Sequence, residues 1–352
     1  MLSNAATKLV LNLLHHSGAA RLARPFFAGK GAILMLHRVE PASEKPSPFS
    51  PNAHLSITPE FLDGLLKDLS NHGFEFVDLN EAATRINRDN DRAPFICVTL
   101  DDGYRDNLQH AVPLFRQHHA PFTIFVAPGL VDGRATLWWE DLEHLIAAKN
   151  QLKIKLPGFP AALSIRSNSE KIDVFNMLHN FLTKKITEHE QRQWIAKICA
   201  NNPIDPQAHR AQSIMNWKEI ATLSRDPLGS IGAHTIHHYA LGRLDAEQCR
   251  AEMMQSANEI EQKIGVRPIH IAYPYGYPAA AGARDFAIAA QCGFKTAVTT
   301  RHGVCYAGHR AHLTALPRIS VNGHFQDSKY VRTLLSGATT MLQNKGRKLN
   351  VT

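Results

Sequence analysis

The chain has 352 residues, 44% of them hydrophobic, enough for one large core and unlike a disordered or collagen-like polymer. No stretch approaches the roughly 18 consecutive apolar residues that a membrane-spanning helix needs. The formal net charge of +8 is uneven: residues 1–39 carry five Lys or Arg and residues 328–352 five more, neither with an acid, leaving 29 basic and 31 acidic groups between them.

The basic ends read either as solvated surface or, at the N-terminus, as an amphipathic helix lying on an anionic membrane. No nucleic-acid motif and no aromatic–basic interleaving accompanies them, so no nucleic-acid partner is expected. The segment KLVLNLLHHSG at 8–18 is broken by Asn12, and it lacks the apolar length and small-residue cleavage site of a secretory signal. The five cysteines, at 97, 199, 249, 292 and 305, have no CxxC spacing and read as buried reduced thiols. The expected location is the cytoplasm, free or at the inner face of its membrane. The sequence carries no sign of an oligomeric state.

In chain order, apolar β-rich runs stand at 32–36, 74–79, 95–100, 122–127, 229–233, 269–273 and 296–300, with RISV at 318–321 as a further piece. Helical patterns lie between them. One covers 60–71, introduced by Thr58-Pro59-Glu60, and others cover 246–264 and 283–291. Strands buried on both faces and separated by helices predict a parallel α/β sheet or barrel. Residues 150–225 interrupt that rhythm with two amphipathic helices, an insertion that covers either a substrate groove or only the core. The chain thus divides into a basic helical extension (1–29), the barrel (30–325) and a basic tail (326–352).

Polar residues gather at strand ends. AILML runs into His37, FICVTL into Asp101-Asp102-Gly103, GSIGA into His234, His237 and His238, and IHIAY into Pro274-Tyr275-Gly276. In parallel α/β barrels the C-terminal ends of the strands form the rim where sites are built. Two histidines and a carboxylate suit a divalent metal with an open position. His234 and His238 can share one ion if 234–238 makes a helical turn, which aims His237 elsewhere. Asp102 is then the carboxylate ligand and Asp101 the base. The same three ligands also suit ferrous iron, although the α/β rhythm argues against the β-sandwich common among such oxygenases. Trp138 and Trp139 either stack on sugar rings or anchor a helix start in the core.

These residues resemble a known family. TLDDGY (99–104), HTIHHYAL (234–241) and AYPYG (272–276) are similar to three ordered motifs of the polysaccharide deacetylases, the NodB-homology or carbohydrate esterase family 4 enzymes. AYPYG is most similar to the branch that includes the poly-N-acetylglucosamine deacetylases. The flanking SITPEFLDGLLKDLSNHGFEFVDL and MNWKEIATL fit the same pattern, so the resemblance covers about 30–325. It implies a distorted (β/α)7 barrel and a divalent metal, usually zinc, held by Asp102, His234 and His238. It also implies Asp101 as catalytic base and the Tyr275 backbone N–H as oxyanion donor. Tyr104, Trp138, Trp139, Tyr273 and Pro274 are the substrate-binding candidates.

Two features depart from the family. Leu100 replaces the usual phenylalanine before the aspartates, and no Leu-x-His sequence supplies a C-terminal acid. LMLHRV resembles the N-terminal strand that supplies this acid in the poly-N-acetylglucosamine branch, pointing to His37, with His302, His309 and His312 as alternatives. Arg318 in LPRISV is either the brace of the base or a surface ion pair. The expected activity is removal of N-acetyl groups from sugar residues of a surface glycan or its lipid-linked precursor. An O-acetyl esterase and an inactive glycan-binding barrel are the alternatives.

Overall fold

The computed structural model describes residues 3–44, 47–88, 93–156 and 158–351. Seven parallel strands close a ring: β1 (Gly31–Leu36), β2 (Phe95–Leu100), β3 (Phe122–Val126), β4 (Gly229–Ala233), β5 (His270–Ala272), β6 (Thr296–His302) and β7 (Leu316–Ser320). The ring runs in sequence order and closes between β7 and β1, where Leu34 pairs with Ile319. The predicted strand at 74–79 shrinks to Glu75–Phe76 beside the start of β2, because Asp78 caps a helix over Leu79–Asn87. The barrel is distorted: β4 and β5 share one register pair, and β6–β7 shifts register between Val298 and His302.

Strand periodicity positions the site. Successive side chains alternate faces, so every second residue enters the barrel. Ile33, Cys97, Phe125, Ala272, Val298 and Leu316 form the interior cluster. Their neighbours Leu34, Leu36, Val98, Leu100, Ile124 and Ile231 join the larger core formed with the helices. Continuing the inward parity up each strand reaches His37, Asp101, His234, Thr300 and Arg318. Gly232 is required by this packing, since a Cβ there would lie 2.3 Å from the Phe125 ring.

The insertion has a core of its own. Leu142, Leu145, Ile146, Leu178, Leu182, Ile195 and Ile198 pack together across helices Trp138–Ala147, Asn168–Lys184 and Glu188–Asn201. Capping boxes at Ser167/Glu170 and Thr187/Glu190 start the second and third of these. The expected boundaries of 150–225 therefore shift: helix Trp138–Ala147 belongs to the insertion, whereas Ile220 and Leu223 of helix Trp217–Leu223 pack in the barrel core.

The two ends fold together. Helices Asn4–His16 and Ala19–Phe27 pack on helices Ser328–Leu335 and Ala338–Gln343, and Asn12 Nδ2 donates to Tyr330 Oη at 3.3 Å. The expected tail is thus part of a helical layer on the barrel's side.

Candidate active site

Asp101 and Asp102 end β2. Asp101 keeps the strand's inward parity, and its N–H donates to the Leu36 carbonyl at 3.0 Å. Asp102 has φ 73°, in the left-handed region that non-glycine residues seldom adopt. That break lets two adjacent carboxylates line one cavity, which regular strand geometry forbids. Local strain of this kind is characteristic of functional sites.

His234 follows β4. Its Nδ1 lies 2.7 Å from the Ala272 carbonyl, which can only accept, so Nδ1 carries the proton and the Nε2 lone pair is free. His238 arrives by a different route from the expected helical turn. Thr235 and His238 both have positive φ, 60° and 56°, and the His238 N–H donates to Thr235 Oγ1 at 3.1 Å. Glu252 clamps this loop by accepting from the Ile236 and His237 N–H groups at 2.9 Å each, and from the His237 ring at 2.6 Å. His237 therefore turns away from the cavity. Arg192 holds the other side by donating to the carbonyls of His237 and His238.

These loops bring three potential ligands together. His234 Nε2 and His238 Nε2 lie 3.3 and 3.1 Å from Asp102 Oδ1. Ligand atoms of Asp102, His234 and His238 all lie within 4.8 Å of one another, and all three residues are buried. Oδ1 of Asp102 is buried without a hydrogen-bond partner among the described residues, an expensive arrangement for a carboxylate unless a cation faces it. Burial opposes ionisation of Asp102, yet the two imidazoles hold its carboxyl well below the usual range. Burial lowers His238 to about 4, whereas at His234 burial is outweighed by the neighbouring carboxylates, which raise the imidazole, so a cation bound there would displace a proton. A carboxylate and neutral imidazole nitrogens are the donor set that a divalent transition metal takes.

Arg318 reaches across the barrel from β7. Its Nη1 and Nη2 each donate to one oxygen of Asp101 at 2.7 Å, while Nε donates to the Thr299 carbonyl and Nη1 also to Thr99 Oγ1. The arginine side chain is completely buried, so it is no surface ion pair. Burial raises the Asp101 pKa, but the guanidinium outweighs it and holds the carboxyl below its ordinary value. His37 Nε2 stands 3.9 Å from Asp101 Oδ2, the oxygen that also accepts from Arg318 Nη2.

Tyr275 has φ 61°, and no acceptor for its N–H occurs among the described residues. Its carbonyl is held by Thr300 Oγ1 at 2.6 Å and its hydroxyl by Trp138 Nε1 at 2.7 Å. Burial pushes the phenol up to about 12, keeping it neutral. Both tryptophans line the cavity: Trp139 lies 4.9 Å from the His238 ring, and Trp138 packs beside His179 at 5.7 Å.

The cavity thus enclosed has a volume of about 290 Å³ and holds His37, Asp101, Asp102, His234, His238 and Tyr275 together. A second recess of about 420 Å³, lined by Arg38, Glu40, Glu143 and Gln326, shares Asn52 and Leu55 with it. The two recesses adjoin across these residues.

Three expected substrate residues lie elsewhere. Tyr104 is fully buried behind the wall, with its hydroxyl donating to Glu140 at 2.7 Å. Tyr273 has outward parity, packs on Phe286 and donates to the Thr314 carbonyl. Pro274 is buried and does not line the cavity. His302, His309 and His312 are also outside it; His302 contacts Thr339 and His309 the Tyr306 backbone. Conversely, His54, His179 and Tyr277 line the cavity without having been singled out. His179 follows Phe175 at i+4 on the insertion's apolar stripe, a spacing that marks the buried face but not what that face covers.

Comparison with known proteins agrees with this architecture. Residues 179–297 match the sequence profile described as "Polysaccharide deacetylase", a span containing His234, His238 and Tyr275 but not the paired aspartates. No curated protein matches the chain. Among solved structures, the deacetylase PplD of Streptococcus pyogenes in complex with acetate is similar over 87% of this chain and 98% of its own, at TM-score 0.57 and 18% identity. IcaB from Ammonifex degensii is similar over 88% and 98%, at TM-score 0.55 and 18% identity. The de-N-acetylase from Aggregatibacter actinomycetemcomitans is similar over 86% and 98%, at TM-score 0.54 and 13% identity. At such identities these structures speak to the fold, the distorted (β/α)7 barrel of the NodB type. The profile match adds that residues 179–297, about a third of the chain, are similar in sequence to polysaccharide deacetylases.

Proposed function

We propose that this protein is a divalent-metal-dependent deacetylase that hydrolyses the N-acetyl groups of sugar residues in a surface glycan or its lipid-linked precursor. The observation that carries the reading is the convergence of Asp102, His234 and His238 beside an Asp101 forked by Arg318. Zinc or a similar ion held by those three residues would supply a Lewis acid and lower the pKa of a bound water to around 7.

The chain's own residues account for the remaining chemistry. Asp101, ionised and fixed by Arg318, takes the proton of the attacking water as it adds to the acetamide carbonyl. The Tyr275 N–H, held outward by its left-handed backbone, donates to the developing oxyanion, and one such donor is typically worth about 3 kcal/mol. His37, near Asp101, protonates the departing nitrogen, since an amine leaves poorly without its proton. Trp138, Trp139 and His179 pack against the sugar and exclude water, and the adjoining recess takes the neighbouring unit of the glycan. Acetate and a free amino sugar are the products.

Acetate release from N-acetylated oligosaccharides, measured with and without chelator, tests the reading. Activity should vanish on chelation and return with zinc, and Asp102→Ala should lose metal and turnover together. Full activity in that variant would sink the assignment. An ester's alcohol needs protonation less than an amine does. His37→Ala should therefore spare acetyl-ester hydrolysis while slowing amide hydrolysis by about 10²–10⁴-fold. Equal loss on both linkages would remove His37 from the role of acid.

A further inference from the structure

The helical layer formed by the two ends has a surface that the chemistry of the cavity does not explain. Eleven large apolar side chains are exposed among the described residues, and five of them lie in this layer: Leu9 (61%), Leu13 (60%), Leu22 (74%), Phe26 (70%) and Leu342 (65%). Residues 9 and 13, like 22 and 26, are four apart, so each pair forms a stripe on one helical face. The stripes stand opposite the buried Leu11 and Ala20, which anchor the two helices to the protein. Scattered exposed apolar residues are ordinary, but paired stripes on adjoining helices are not.

Within the four helices the charge is of one sign: residues 4–27 and 328–343 contain Lys8, Arg21, Arg24, Lys329 and Arg332 and no Asp or Glu. The fold packs these helices side by side, with Asp327 and Asp68 pairing with Lys329 and Arg332 at the margin. Beside Phe26, Arg21, Arg24 and Lys30 line a recess of about 630 Å³. Apolar stripes flanked by cations are the pattern of helices that lie in the plane of an anionic bilayer, with apolar side chains at acyl depth and cations among phosphates. No helix among the described residues is long and apolar enough to cross a membrane, so the contact would be peripheral.

The layer also reaches the catalytic rim. Tyr330 of helix Ser328–Leu335 packs edge-on against Phe325 at 6.1 Å, next to His324. The His324 ring stacks on His54 at 6.0 Å, and His54 lines the catalytic cavity.

We infer that the two ends of the chain form one docking face for an anionic phospholipid bilayer, and that this face presents the cavity to glycan anchored in the same bilayer. The second half of this inference rests on the deacetylase reading; the first half does not.

Co-sedimentation of the full chain with lipid vesicles tests it. The protein should sediment with vesicles containing phosphatidylglycerol and remain free with phosphatidylcholine alone. The double variant L9E/F26E should bind at least about ten-fold more weakly, and Arg21→Glu should weaken binding and flatten its salt dependence. All substituted positions are exposed, and unchanged melting temperatures would show intact folds. Acetate release from a soluble oligosaccharide should be unchanged in L9E/F26E, while release from a lipid-anchored substrate should fall. Asp102→Ala should bind vesicles normally, which separates docking from catalysis. Equal binding to neutral vesicles, no binding at all, or binding indifferent to L9E/F26E would overturn the inference. So would a wild-type dimer that the double variant converts to monomer, since a second copy would then cover the face.

Discussion

The floor of the cavity and its aromatic wall are built on different foundations. Asp101, His234 and Arg318 stand on barrel strands or one residue beyond them, and each continues the inward parity of its strand. Trp138, Trp139 and His179 stand on helices of an insertion with a separate core. The two halves are joined by side-chain bonds, including Trp138 with Tyr275, Glu140 with Tyr104, Asn52 with Trp139 and Arg192 with the His238 loop. Groups on barrel strands are held by the sheet's backbone ladder, whereas groups on the helical layer are held by that layer's side-chain packing. On the proposed reading, the barrel supplies the reacting groups and the insertion supplies the wall against the sugar.

This contrast can be broken most directly at Arg318. Arg318→Met leaves the Asp101 carboxylate buried and unpaired, which should cost about 3–5 kcal/mol of stability and reduce kcat severely. Arg318→Lys restores charge without the two-pronged geometry and should recover stability more than activity. Thermal melts alongside kcat would check both, and a fully active Met variant would remove the brace.

Next in size is Glu252, which touches no reacting atom but fixes the loop that aims His238. Glu252→Ala should weaken metal affinity by about 10–100-fold, read by competition with a chromogenic chelator, and excess zinc should rescue activity. Loss that zinc cannot restore would mean that the loop, rather than the ligand's aim, had failed.

Changes to the wall should behave differently. His179→Ala removes a ring from the sugar-facing side and should raise KM several-fold with kcat nearly intact. A pure kcat effect would make His179 part of the catalytic floor and erase the distinction drawn above.

The smallest effect concerns stability of the insertion alone. Asp141 is fully buried, and burial, partly offset by His209 and Thr136, pushes its carboxyl up to about 7. An acid whose folded pKa is raised favours the protonated folded state. Its benefit is complete below the ordinary value near 4 and is lost as pH rises towards 7. Asp141→Asn should therefore raise the melting temperature by a few degrees at pH 8 and change little at pH 4, measured by calorimetry.

Much of this architecture was legible in the residues. β-branched runs with helical patterns between them marked the strands, and β4 and the helices at 246–264 and 283–291 coincide with their predicted bounds. Parity explains the errors near the motifs as well. Tyr273 follows the inward Ala272 and so faces outward, which counting alternation along β5 reveals. Tyr104 defeats such counting because Asp102 and Gly103, at φ 73° and 75°, break the strand before it. His54 carried no local mark, and the insertion's start at Trp138 was hidden because a helix over a separate core reads like a helix over the barrel.

By itself the sequence determined the strand and helix periods, the two-histidine, two-carboxylate chemistry and the basic character of both ends, because these depend on side-chain type and spacing along one segment. Only the tertiary structure decided that Arg318 forks onto Asp101, that His238 arrives through a strained loop held by Glu252 and Arg192, and that the two ends form a single face. Each of these joins residues far apart in the chain, and their meeting is set by barrel closure and helix packing, which no local pattern encodes.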